Sequence, residues 1–225
     1  MSNTEFILNF HGIGTPHSTV DFAEHPYWIS ETFFQQILDL VDSKNNANSI
    51  IWTFDDGNAS DLAIAAARLA ERKRLGKFFV LTGRFENPHY LSVSDVRSLS
   101  NLGMEVGLHG HDHVDWRTLS LDRLKAETID AREVLAQAVG HPVSSVAIPF
   151  GAYNKRVINH LRRSGFETIY TSDGGASSSN QQLRNRTSIR ADMTLADVSY
   201  ILANKVNWKS HIRRRLSTTL RRHVI

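Results

Sequence analysis

The stretch Ile51-Trp52-Thr53-Phe54-Asp55-Asp56-Gly57 runs apolar and β-branched side chains straight into two adjacent carboxylates and a glycine. It reads as a buried strand that delivers an acidic pair to the loop at its C-terminal end. Neighbouring carboxylates repel, so they stay together at low cost only when a cation or a shared proton lies between them. Working outward, His109 and His113 stand four apart, about fifty residues later, at the end of a second apolar segment, Met104-Glu105-Val106-Gly107-Leu108. Asp-Asp-Gly alone is equally a turn with a helix cap, and His-x3-His alone occurs on solvated helix faces. Both together, each directly after a strand, point to a metal. One aspartate with the two imidazoles supplies three ligands and leaves a position for water, the arrangement of catalytic zinc sites. One aspartate would ligate the ion while its neighbour takes a proton from the bound water.

The remaining strands and helices alternate. Strands are expected at Phe6–Phe10, Lys77–Thr82, Ser145–Ile148, Glu167–Thr171 and near Thr187–Arg190. Helices are expected near Ser30–Val41, Ala59–Arg74 with Asp61 as its cap, from Ser92 or Ser94 to Leu102, over Leu121–Val139 and Asn154–Ser164, and from Thr194 onward. Such alternation implies a mostly parallel sheet, closed or nearly closed into a barrel. His11, Asp55, Asp56, His109 and Asp173 all fall at the C-terminal ends of strands. In an α/β barrel that rim is where active sites are built.

The chain has 225 residues, of which 41% are hydrophobic and 22% charged, a composition that suits one large globular domain. It contains no cysteine, which excludes disulfides and thiolate metal sites and leaves any metal to His and carboxylate. Met1–Glu5 has no basic region followed by an apolar one, and no apolar run approaches about 18 residues, so neither a signal peptide nor a membrane span is expected. The net charge of +3 is concentrated at one end: 204–225 hold seven Lys or Arg and no Asp or Glu. Residues 1–203 hold 19 basic and 23 acidic side chains, so a nucleic-acid-binding surface is not expected. Two units follow, a barrel domain over 1–203 and a basic tail over 204–225. In the tail Ile212, Leu216, Leu220 and Val224 share one helical side, and Arg214, Arg215, Arg221 and Arg222 lie largely on the other. That pattern suits an anionic membrane surface or a protein partner, and the expected location is the cytoplasm, peripheral to the inner membrane face.

Thr53-Phe54-Asp55-Asp56-Gly57, His109-x3-His113 and Pro149-Phe150-Gly151 resemble, in order, three motifs of the polysaccharide deacetylase family, the NodB-homology domain of carbohydrate esterase family 4. Lys77–Gly83 and Gly103–His109 are similar too, and the likeness covers about residues 5 to 200. The resemblance implies a distorted (β/α)-barrel of about seven strands and a hydrolase that removes N-acetyl groups from a carbohydrate. It implies Asp55 as catalytic base and Asp56, His109 and His113 as metal ligands. The backbone N–H of Phe150 would help hold the oxyanion, with Pro149, Phe150, Gly151 and Asp173 near the substrate. The expected cofactor is one divalent metal ion, zinc first, with cobalt, nickel or iron suited to the same donors.

Three departures stand out. The family's third motif carries an arginine where this chain has Ala147, so another group must orient Asp55, and Arg190 is the candidate. The hydroxyl residue after the first histidine ligand is Gly110, which removes a hydrogen bond from the ligand loop. The family's late histidine, the general acid, has no match: His211 lies in the tail, and His11 on the rim is the better candidate, ahead of His111 between the ligands, for which a solvent-facing position is expected. These departures keep two alternatives open: a hydrolase of small cyclic amides or O-acetyl esters on the same scaffold, and a non-catalytic carbohydrate-binding relative.

Overall fold

The computed structural model describes residues 4–44 and 49–203. The basic tail, with His211, lies outside the described residues. Among those described, no helix is long and apolar enough to cross a membrane.

Six parallel strands pair in chain order: β1 Thr4–Phe10, β2 Ile50–Phe54, β3 Gly76–Leu81, β4 Glu105–Gly110, β5 Ser145–Ala147 and β6 Thr168–Thr171. Both faces of such strands are covered, so their sequences read as near-continuous apolar runs. Alternate residues serve two cores. Phe10, Trp52, Phe54 and Phe78 point toward the helices, and Phe54 stacks on Phe78 with ring centroids 4.6 Å apart. Ile7, Phe79, Ala147 and Tyr170 form a separate small cluster inside the barrel. Gly107 makes room for it, since a Cβ there would lie 2.5 Å from the Phe79 ring.

A short antiparallel strand, β7 Ser177–Ser178, pairs with the start of β1. Closure comes from the next segment. β8 Leu183–Asn185 pairs with β6, β9 Thr187–Ser188 pairs with β1, and Arg186 sits at the crossing point between them. Six full strands plus this bridging one make the expected distorted barrel of about seven strands in a single domain.

The helices begin and end where their sequences direct. Ser30, Ser92 and Thr194 cap α1 Glu31–Asp42, α3 Val93–Asn101 and α7 Leu195–Leu202, the last two with complete capping boxes. Gly140, left-handed at φ 81°, ends the helix before β5. Two helices differ from expectation. After β2 the chain winds as a π-helix over Asp61–Ala66 before α2 Ala67–Glu71, and the long helix is α4 Leu121–Lys125, a π-helix over Ala126–Asp130, then α5 Ala131–Val139. Asp61 is therefore not a cap. It is fully buried within the helix, and burial, with the nearby Asp56 and Asp55 charges, pushes its carboxyl well above the usual range. α6 Lys155–Arg163 follows β5, and a 3-10 helix, Phe22–Tyr27, orders the stretch between β1 and α1.

Candidate active site

The C-terminal ends of the strands converge on one pocket. β2 delivers Asp55 and Asp56, β4 delivers His109 and the loop to His113, and β1 ends at His11. Asp56 Oδ1 lies 3.4 Å from His109 Nε2 and 3.4 Å from His113 Nε2. These donors all fall within 4.8 Å of one another, and among the described residues they form the group able to hold a metal ion.

Each imidazole is oriented from behind. His109 Nδ1 lies 2.9 Å from the Ala147 carbonyl, which can only accept, so Nδ1 donates there and Nε2 is the nitrogen turned to Asp56. His113 Nδ1 faces the Glu24 carboxylate at 3.7 Å. Asp56 Oδ1 is buried with no hydrogen-bond partner of its own. An orphaned carboxylate oxygen facing two aimed imidazole nitrogens fits a divalent cation that accepts N and O donors.

Burial alone would raise the Asp56 pKa, but contact with His109 and the fields of His113 and His11 hold it far below the usual carboxylate range. Burial also opposes charge on His109, yet Asp55 and Asp56 outweigh it and raise that pKa. For His113 burial wins, with His109 and Arg84 adding to it, and the pKa falls to about 4. Asp56 and His113 have left-handed backbones, at φ 77° and 55°. For non-glycine residues such conformations cost on the order of 1–3 kcal/mol each and persist where the surroundings impose them.

Asp55 is held differently. Arg186, fully buried, grips it with both prongs: Nη1 donates to Oδ1 at 2.6 Å and Nη2 to Oδ2 at 2.7 Å. Asn9 Nδ2 donates to Oδ2 at 3.0 Å. Arg186 also donates to Asn9 Oδ1 at 2.8 Å and to the Thr171 carbonyl at 3.3 Å, and its guanidinium lies over the Phe79 and Tyr170 rings. Burial opposes the Asp55 charge, but the Arg186 ion pair and the His109 field overcome it, so its pKa is lowered.

Arg186, not Arg190, is therefore the arginine that orients Asp55. Arg190 pairs with exposed Asp192 at 3.1 Å and stacks over Tyr27. Ala147 packs in one cluster with Phe79 and Tyr170, and Arg186, between β8 and β9, lies over those two rings and reaches Asp55 in its place.

The remaining expected residues divide. His11 lines the pocket and packs on Tyr27 at 4.8 Å between centroids, and burial lowers its pKa. Phe150 stands 60% exposed at the mouth with its ring 4.3 Å from that of His113, in a left-handed turn at φ 58° between buried Pro149 and Gly151. Asp173 is not in the pocket. Its Oδ2 accepts from Tyr153 Oη at 2.5 Å and from Thr171 Oγ1 at 3.1 Å, which ties the end of β6 to the loop beyond β5. His111 is half exposed and hydrogen-bonds Thr82 Oγ1 at 2.9 Å.

Glu24, Tyr27 and Trp28 complete the wall from the 3-10 segment, which the sequence marks only as a loose stretch with two prolines. Trp28 lies so flat on the chain that a Cβ at Gly12 would fall 2.1 Å from its ring.

The site is thus an α/β barrel rim carrying an Asp-His-His group able to hold a metal ion beside an arginine-held carboxylate. A profile of the polysaccharide deacetylase family matches residues 42–169, more than half of the chain, and the chain belongs to that family. The Bacillus subtilis protein YxkH, whose name places it in the same family, is 20% identical over 186 residues, 78% of this chain and 67% of its own. Among solved structures, Streptococcus pyogenes deacetylase PplD, in complex with acetate, superposes with a TM-score of 0.75 at 20% identity, over 88% of this chain and 97% of its own. IcaB from Ammonifex degensii gives 0.68 at 21% identity, over 89% and 97%. These two likenesses establish the fold.

Proposed function

We propose that this protein is a metal-dependent deacetylase that hydrolyses the N-acetyl group of a sugar unit to acetate and a free amine. The observation that carries the reading is the unpartnered Asp56 Oδ1 facing both imidazole Nε2 atoms, with the arginine-held Asp55 beside it. Asp56, His109 and His113 would hold the ion. When bound, such an ion polarises a carbonyl and draws the pKa of water toward about 7.

The protein's own groups supply the rest. Asp55, kept ionised and fixed in orientation by Arg186 and Asn9, removes a proton from the attacking water. The Phe150 N–H, presented by a rigid Pro-Phe-Gly turn at the pocket mouth, donates to the oxyanion. His11 returns a proton to the leaving nitrogen. Its lowered pKa leaves it neutral at rest, so it must first take up the proton that Asp55 has removed. The exposed Phe150 ring with Tyr27 and Trp28 gives apolar walls on which a sugar ring can rest.

Metal removal tests this. Dialysis against a chelator should cut acetate release from N-acetylglucosamine oligosaccharides at least about 100-fold, with recovery on adding zinc or cobalt. Acetate release indifferent to chelation would contradict it. The same titration carries a pH signature. His113, at about 4, is already neutral at pH 7, whereas the raised His109 pKa means that an incoming ion competes there with a proton. Metal affinity should therefore rise with pH on the acid side of the raised His109 pKa, by up to about tenfold per unit, with protons released on binding, which calorimetry in two buffers would show. Binding indifferent to pH on the acid side would place the ion elsewhere.

A further inference from the structure

Gly110 removes a hydroxyl from the loop between the two imidazoles, yet that loop is firmly tied. Glu127 lies in the π-helical turn Ala126–Asp130 and is 1% exposed. Its Oε2 accepts from the His111 N–H at 2.9 Å, and the Asp112 N–H is shared between both carboxylate oxygens at 3.2 Å. Two consecutive backbone donors inside the His109–His113 loop thus end on one buried carboxylate. Arg123, one turn earlier, donates to Asp112 Oδ2 at 3.0 Å and lies 4.0 Å from Glu127 Oε1.

The space is reciprocal. A Cβ at Gly110 would lie 2.9 Å from Glu127 Oε2 and 3.2 Å from the Trp116 ring, and Gly110 has φ 104°. A side chain at 110 would therefore press on the Glu127 carboxylate, on a backbone that strains any residue but glycine. Immediately beyond the tied N–H groups comes His113, whose left-handed backbone needs outside support. π-helical turns within α-helices recur at functional sites, and here one brings a carboxylate to the ligand loop.

We propose that Glu127 is the positioning residue of this metal-ligand loop, doing through two backbone hydrogen bonds what a hydroxyl at 110 would do through one. The proposal rests on the metal-site reading above. It makes Glu127 a determinant of metal affinity from outside the ligand set, with no contact to substrate.

Cobalt(II) titration of the metal-free protein, followed by visible absorption, reads this directly. Glu127→Ala should weaken cobalt binding about 10- to 100-fold, while Glu127→Gln, whose amide oxygen can still accept both N–H groups, should stay within about threefold of wild type. The melting temperature of each metal-free variant separates loss of the loop from loss of the fold. Equal cobalt affinity in folded Glu127→Ala and wild type would overturn the role of Glu127 alone. A wild type that takes up no cobalt would overturn the metal site and Glu127 with it. Should Glu127→Ala fail to fold, Glu127→Asp keeps the charge but withdraws the carboxylate by one methylene. Weakening by about fivefold or more then supports the proposal, and unchanged affinity overturns it.

Discussion

Asp55→Asn should lower acetate release about 1,000-fold while the protein still binds about one metal ion per chain, because a neutral amide cannot accept the proton of the attacking water. The two halves of this result separate the adjacent aspartates. Asp56 faces both imidazoles, whereas Asp55 lies 4.0 Å from His109 Nε2 and is turned toward Arg186. Metal content by elemental analysis and turnover on the same preparation check both halves. Turnover within tenfold of wild type would show that Asp55 is not the base, and loss of the metal would show that Asp55 takes part in holding the ion. Arg186 keeps acceptors on Asn9 and Thr171 in the variant, so its charge is not stranded without partners.

Arg186→Met should be the most destabilising single change at the site. It strands the Asp55 carboxylate, buried to within a few per cent, with Asn9 as its remaining donor. Removing one member of a buried ion pair costs about 3–5 kcal/mol, which for a chain of this size lowers the melting temperature by about 10 °C. Combining Arg186→Met with Asp55→Asn should recover much of that loss, since no unpaired charge is left in the barrel. Arg190→Ala is the control: its partner Asp192 is exposed, so melting should shift by no more than about 2 °C. A double variant less stable than Arg186→Met alone would show that the guanidinium holds the barrel seam rather than the Asp55 charge.

The strands that build this site, and the four residues at its centre, were legible because each is local. Apolar runs announce β2 and β4; Asp55 and Asp56 directly follow β2, and His109 lies at the end of β4. Arg186 was not legible, for a physical reason. It joins two strands of three and two residues that pair with opposite neighbours, so no stretch around it shows strand periodicity. Its partner Asp55 is 131 residues away, and only closure of the barrel brings them together. One signal pointed the right way: Arg190 has Asp192 beside it, a local pair that marks it as surface, which leaves Arg184 and Arg186 as the unaccounted arginines of that segment.

The π-helical turns were hidden as well. Inserting one residue into a helix changes no composition, and the acidic Asp61 and Glu127 within these turns are buried. The wall from Phe22 to Trp28 escaped because a short segment with Pro26 and several polar residues carries no apolar period, although it supplies Glu24, Tyr27 and Trp28 to the pocket.

The most direct test of the centre is a crystal structure of the zinc-loaded protein, with the ion located by anomalous scattering. The proposed centre predicts one ion bound by an Asp56 oxygen and the Nε2 atoms of His109 and His113, at about 2.0–2.2 Å, with an open position facing Asp55. An ion held by other residues, or imidazoles of His109 and His113 that remain free of it, would contradict the proposal.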